Sequence, residues 1–168
     1  VHSILHYKIE NDLDDESVDE RYCGYLESGK KYLDTYVDET FRAEFRVWSV
    51  RHGYAGTLDL LGVHDDGYVC IWDWATGDPA DVSRDLQTAA YLCAALEMAT
   101  IDHELLEQLR FKGPVVRRRS VRLYRDGRIA KETLYQDPRD ATNFLNALSL
   151  VRDQSRRPAP IQAWDDER

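Results

Sequence analysis

The sequence predicts an α/β (α+β) domain, a mixed central sheet flanked by helices. Three observations carry this: amphipathic helical stripes near the start, middle and end of the chain, three alternating stretches in succession, and a later hairpin before the last helix. In the first stripe, Val1, Ile4, Leu5 and Ile9 fall roughly on one side of a helix over residues 1–10. Ser17 with Glu20 three residues on reads as a capping box. It would open a helix to about Tyr36, with Tyr22, Tyr25, Leu26, Gly29, Leu33 and Tyr36 inward. Strands follow at 43–50, 54–63 and 68–75, the last two joined by His64-Asp65-Asp66-Gly67. Pro79 and Asp81 would start a helix to about Ala99, with Val82, Leu86, Ala89, Ala90, Cys93 and Leu96 inward.

Residues 100–113 read as a helix end and loop closed by Gly113-Pro114. A second hairpin, 115–124 with 128–135, turns at Arg125-Asp126-Gly127. Asp137-Pro138 caps a last helix with Ala141, Phe144, Leu145, Leu148 and Val151 inward. Residues 1–155 then form one domain and 156–168 a polar tail. The chain opens on Val1, not Met, which reads as a start lying further upstream.

Composition sets the class. Apolar residues make up 43% of 168, enough for a core and too many for a disordered chain. No apolar run approaches the roughly 20 residues that span a bilayer, so no membrane is expected. Cys23, Cys70 and Cys93 have no zinc-type spacing and read as reduced thiols, hence a cytoplasmic setting. The net charge of −9 opposes a polyanion partner, but it is segregated. Residues 1–40 hold eleven acidic and four basic side chains, and residues 110–131 hold nine basic and one acidic. The basic segment, with Arg117, Arg119, Arg122 and Arg128, is either a phosphate-binding surface or a solvated hairpin.

The hairpin at 54–75 carries the chemistry. With its turn centred near residue 66, Asp59 faces Asp73, Cβ atoms about 5 Å apart. Two carboxylates so placed repel unless one takes a proton or a cation bridges them. Hard oxygen donors suit Mg²⁺ or Mn²⁺. Otherwise each aspartate ends a strand or caps a turn.

Three segments in order, Gly56-Thr57-Leu58-Asp59, Ile71-Trp72-Asp73-Trp74-Ala75-Thr76-Gly77 and Gln87-Thr88-Ala89-Ala90-Tyr91, resemble the motif series of the PD-(D/E)XK nuclease superfamily, RecB and lambda-exonuclease branch. That series reads G-[ST]-[IVL]-D, then D-x-K-T-G, then Q-x-x-x-Y. The resemblance runs from residue 2 to residue 91 and implies a restriction-endonuclease-like core. It implies that Asp59, Asp73, the backbone carbonyl of Trp74 and His2 bind the metal, and that Glu44 binds a second metal or orders a water. His2 also reads as an ordinary surface histidine, and Glu44 as an edge-strand glutamate. Arg84, Gln87 and Tyr91 share a helix face. By the resemblance that face meets substrate DNA and the catalytic groups; by itself it reads as a polar stripe.

The departure is Ala75. The series has a lysine there, whose ammonium orients the attacking water and stabilises charge on phosphate. Alanine does neither. The surrounding motif is intact, so Ala75 reads as an engineered replacement, with a natural inactive homologue as the alternative. The implied activity is a metal-dependent DNA exonuclease of recombination, repair or phage replication, acting at DNA ends or on single strands and silent in this chain. A non-catalytic DNA-binding module using the same cleft is the second reading.

Overall fold

In a computed structural model that describes residues 1–10, 12–77 and 83–156, the elements are α1 (His2–Ile9), a 3-10 turn (Asp15–Ser17), α2 (Glu20–Tyr36), β1 (Val37–Ser49), β2 (Tyr54–His64), β3 (Val69–Ala75), α3 (Arg84–Met98), α4 (His103–Arg110), β4 (Val116–Arg122), β5 (Lys131–Tyr135) and α5 (Asp140–Arg156). The strands form one sheet in sequence order. β3 and β4 are parallel and the other neighbours antiparallel, so the sheet is mixed as expected. The parallel step needs a crossover, which α3 and α4 supply.

The two sheet faces bury different cores. Leu61, Val69 and Ile71 pack with Ala94, Ala95 and Met98 of α3 and with Leu105 and Leu109 of α4. Leu60, Cys70, Trp72 and Trp74 pack with Leu5 of α1 and with Leu26 and Tyr32 of α2. β3 is buried along its whole length, as a strand covered on both faces must be.

Several sequence expectations need correction. The N-cap of α2 is Asp19, whose side chain accepts the Arg21 N–H; Ser17 ends the 3-10 turn instead. Within α2, Tyr22 is exposed over about two-fifths of its surface and Tyr32 is fully buried. β1 begins six residues earlier than expected, at Val37, where the helix passes directly into the strand. Residues 103–110 are a helix, started by Asp102, whose carboxylate accepts the Leu105 N–H. Leu96 and Val151, expected inward, are more than half exposed. The expected start of α3 at Pro79 and Asp81 and the tail from residue 157 lie outside the described residues.

The β4–β5 connection is held against α2 at close range. A Cβ on Gly24 would lie 1.7 Å from the Arg125 carbonyl oxygen, so only glycine admits this approach. Ser28 Oγ accepts the Tyr124 N–H, and Lys31 Nζ donates to the Gly127 carbonyl. On the opposite side Arg118 ties three elements together. Its guanidinium meets Asp140 of α5 at 2.6 Å and donates to the carbonyls of Asp85 and Asp137. Among the described residues no helix is long and apolar enough to cross a membrane.

Candidate metal centre

The β2–β3 ladder runs from Val63 opposite Val69 to Leu60 opposite Trp72. Extended by one step, that register would set Asp59 opposite Asp73, the pairing the turn predicts; the ladder itself ends at Leu60 and Trp72. Beyond that end the Asp59 side chain reaches the β3 backbone. Its Oδ2 accepts the Trp74 backbone N–H at 2.6 Å, so a carboxylate satisfies the buried donor. Both aspartates are nearly inaccessible, at 5% and 3% exposed.

Other elements bring their groups to this point. His2, the first residue of α1, places Nδ1 2.9 Å from Asp59 Oδ1. Glu44 of β1 joins them: potential ligand atoms of His2, Glu44 and Asp59 all lie within 4.8 Å of one another. Glu44 has φ +46°, the one non-glycine residue with positive φ among those described, and it sits in the middle of a strand. Strained backbone of this kind persists where the surrounding structure holds it, often at a functional site.

α3 supplies the remaining side. Arg84 pairs with Asp73, and its Nη1 also lies 3.4 Å from the Trp74 carbonyl. Gln87 Nε2 donates to the Tyr91 hydroxyl at 2.7 Å. The Tyr91 ring lies over Gly56, where a Cβ would fall 2.6 Å from Cε1. The glycine of the Gly56–Asp59 segment is thus the gap through which this ring approaches the sheet.

The electrostatics follow from burial and crowding. Burial, with the Asp59 charge added, pushes the Asp73 carboxyl up to about 6, against the opposing pull of Arg84 and His2. The hydrogen bond to Asp59 raises His2 above its ordinary value; burial opposes this, and the charges of Asp59, Asp73 and Glu44 reinforce it. Burial likewise raises Tyr91, with the charges of Asp73 and Asp59 adding to the effect. A cation is favoured wherever buried carboxylates gather in this way.

The donor set fits a divalent metal. An imidazole nitrogen and two carboxylates are a mixed N/O set that Mn²⁺ accepts, and Mg²⁺ through the oxygens. The grouping differs from the implied one, since Glu44 stands with His2 and Asp59 while Asp73 and the Trp74 carbonyl both meet Arg84.

Ala75 lies on the Asp73 face. In the parallel β3–β4 register Asp73 neighbours Ser120 and Ala75 neighbours Arg122, and lateral neighbours share a face. The same register corrects the expected basic surface. Arg117 neighbours Cys70 and Arg119 neighbours Trp72, so both project from the opposite face. Arg119 is 2% exposed and is consumed by Asp66 and Glu132. Arg117 pairs with Asp66 and covers the Tyr68 ring. Arg128 covers the Tyr124 ring and lines a groove with Tyr36 and Glu132. Of the four, Arg122 alone shares a sheet face with the aspartates.

Sequence reading missed the Arg84–Asp73 pair. An arginine in the first turn of a helix, where the dipole disfavours a cation, was the available signal. No family model matches the sequence, and no curated protein matches it.

The strain at Glu44 gives a test. Glu44→Gly should hold or raise the melting temperature, because glycine adopts positive φ without the cost of about 1 kcal/mol borne by a side chain. Glu44→Ala should show no such gain, since alanine keeps the Cβ. Both should bind Mn²⁺ at least tenfold more weakly in calorimetry. Unchanged Mn²⁺ affinity in both variants would remove Glu44 from the site.

Proposed function

We propose that this chain is a metal-binding DNA nuclease domain of the PD-(D/E)XK type, silent in hydrolysis because residue 75 is alanine. The observation that carries the reading is the grouping of His2, Glu44 and Asp59 from a helix and two strands, with buried Asp73 of the next strand held by Arg84 and Ala75 on the Asp73 face. His2, Glu44 and Asp59 would hold Mg²⁺ or Mn²⁺. A metal held there would supply a nucleophilic water and neutralise charge on the scissile phosphate.

The chain's own residues have separable tasks in this reading. The Trp74 N–H fixes one oxygen of Asp59 and leaves the other facing His2. The Gln87–Tyr91 pair braces α3 against β2 through the contact with Gly56. Arg84 and Arg122 are the cations on this side of the sheet for the phosphodiester backbone, since Arg118 on the same face is held by Asp140. Action at DNA ends, the exonuclease assignment, and a place in recombination, repair or phage replication come from the motif resemblance; a cytoplasmic setting comes from reading Cys23, Cys70 and Cys93 as reduced thiols.

A second reading, a DNA-binding module that never cuts, is favoured by one observation: Asp73 already has a protein cation in Arg84. Both readings require DNA to bind on the Asp73 face. Fluorescence anisotropy with a labelled single-stranded oligonucleotide should show affinity that rises with Mn²⁺. Arg122→Glu should weaken binding for all sequences and flatten the slope of log K against log salt by about 1. DNA affinity indifferent to both Mn²⁺ and Arg122 would refute the proposal.

A further inference from the structure

Arg84 occupies an unusual position. It is the first residue of α3, where the aligned peptide dipoles disfavour a positive side chain. Its side chain is about one-fifth exposed, while that of its partner Asp73 is almost fully buried. Its Nη1 meets two oxygens at once, the Asp73 carboxylate and the Trp74 carbonyl. An anionic and a neutral oxygen converging on one point are also what a hard divalent cation binds. The other aspartate has a separate partner, His2.

We propose that Arg84 is a latch on the metal site: its guanidinium and a divalent cation compete for Asp73 and the Trp74 carbonyl. This rests on the metal reading of the site given above and extends its ligand set, His2, Glu44 and Asp59, to Asp73 and the Trp74 carbonyl. The competition follows from charge. A divalent cation drawn to Asp73 repels the guanidinium already paired with it in a poorly solvated setting, and the guanidinium is the one with a flexible stem. Once displaced, it stays tethered to the start of α3, beside the face that carries Ser120 and Arg122. A guanidinium there matches the bidentate geometry of a phosphodiester. Metal binding would thereby turn a group that closes the site into one that receives the substrate backbone.

The test uses the whole chain and Mn²⁺ as the probe, followed by calorimetry at neutral pH. Arg84→Gln keeps a polar side chain of similar length without the charge, and its fold is checked by its melting temperature. It should bind Mn²⁺ at least tenfold more tightly than the wild type. The gain should vanish when Asp73→Asn is present in both proteins, because there is then no shared carboxylate. A purely structural Arg84 would not show this coupling. In a second measurement, the increase in oligonucleotide affinity caused by saturating Mn²⁺ should be several-fold smaller in Arg84→Gln, despite its tighter metal binding. If the wild type binds Mn²⁺ through His2, Glu44 and Asp59 and Arg84→Gln binds it equally or more weakly, the latch is wrong and the metal reading stands. If neither protein binds Mn²⁺, both are wrong.

Discussion

On the nuclease reading proposed above, Ala75→Lys is expected to give a metal-dependent DNase, with a rate at least 10²–10⁴-fold above that of the Ala75 protein, the range set by a cation of this kind in the transition state. The backbone at this position is already fixed, because the Ala75 carbonyl accepts the Leu123 N–H at 2.7 Å on the far side of the parallel step. Strand alternation then directs a side chain at residue 75 to the face of Asp73. Alanine at 5% exposure leaves that direction without a charge. A lysine stem is long enough to carry an ammonium past Asp73 to where negative charge grows on the phosphate. Single-turnover digestion of labelled DNA with Mn²⁺ measures the effect. Activity should disappear with chelator and on adding Asp73→Ala. A lysine variant that folds, binds Mn²⁺ and DNA, and still cuts nothing would leave the non-catalytic module as the reading of this chain.

The legible part of the molecule was the part governed by local rules. Asp59 opposite Asp73 follows from a turn and a period of two, and the structure keeps that register through the four β2–β3 pairs that lead up to the site. The facing of Gln87 and Tyr91 follows from a period of 3.6, and their side chains are hydrogen-bonded. What the sequence concealed depends on which strand lies beside which. Arg117 and Arg119 look like parts of one basic run until the parallel β3–β4 register assigns them to the face of Cys70 and Trp72. No local pattern specifies that register, because the two strands are joined through two helices. Arg84 illustrates the same limit. Its helical phase was readable, but the identity of its partner depends on how α3 docks over the end of β3. Glu44 was singled out only by the motif resemblance; its positive φ has no signature in an alternating strand of ordinary composition.

Arg119→Ala is expected to destabilise the fold by about 3 kcal/mol, the low end of what breaking a buried ion pair costs, because both partner carboxylates keep some solvent. Arg119 Nε donates to Glu132 Oε2 at 3.1 Å, Nη2 meets Asp66, and Nη1 lies 3.2 Å from Cys70 Sγ. Glu132 also accepts the Tyr32 hydroxyl at 2.5 Å and faces His64 Nε2 at 3.2 Å, and Tyr32 accepts the Trp72 indole N–H. Removing the guanidinium leaves Glu132 and Asp66 without their central cation in a network that spans α2, β2, β3, β4 and β5. In a chain of this size 3 kcal/mol corresponds to a fall of roughly 10 °C in melting temperature. Arg117→Ala is the control. Its pair with Asp66 is partly solvated, so about 1 kcal/mol or less should be lost.

Acid should probe the same network. Burial raises Asp66, but the charge of Arg119, the Tyr68 N–H, His64 and Arg117 together hold it below its ordinary 3.8. A carboxyl depressed in the folded state contributes stability that is fully present above its unfolded value and lost as pH falls through the folded one. The gap in stability between wild type and Arg119→Ala should therefore be widest near neutral pH and shrink as pH drops below about 4. Denaturant titrations at a series of pH values would measure it. A gap that stays constant into acid would mean that Arg119 stabilises through packing of its stem and not through the carboxylates. A loss confined to DNA affinity, with stability unchanged, would return Arg119 to the substrate surface.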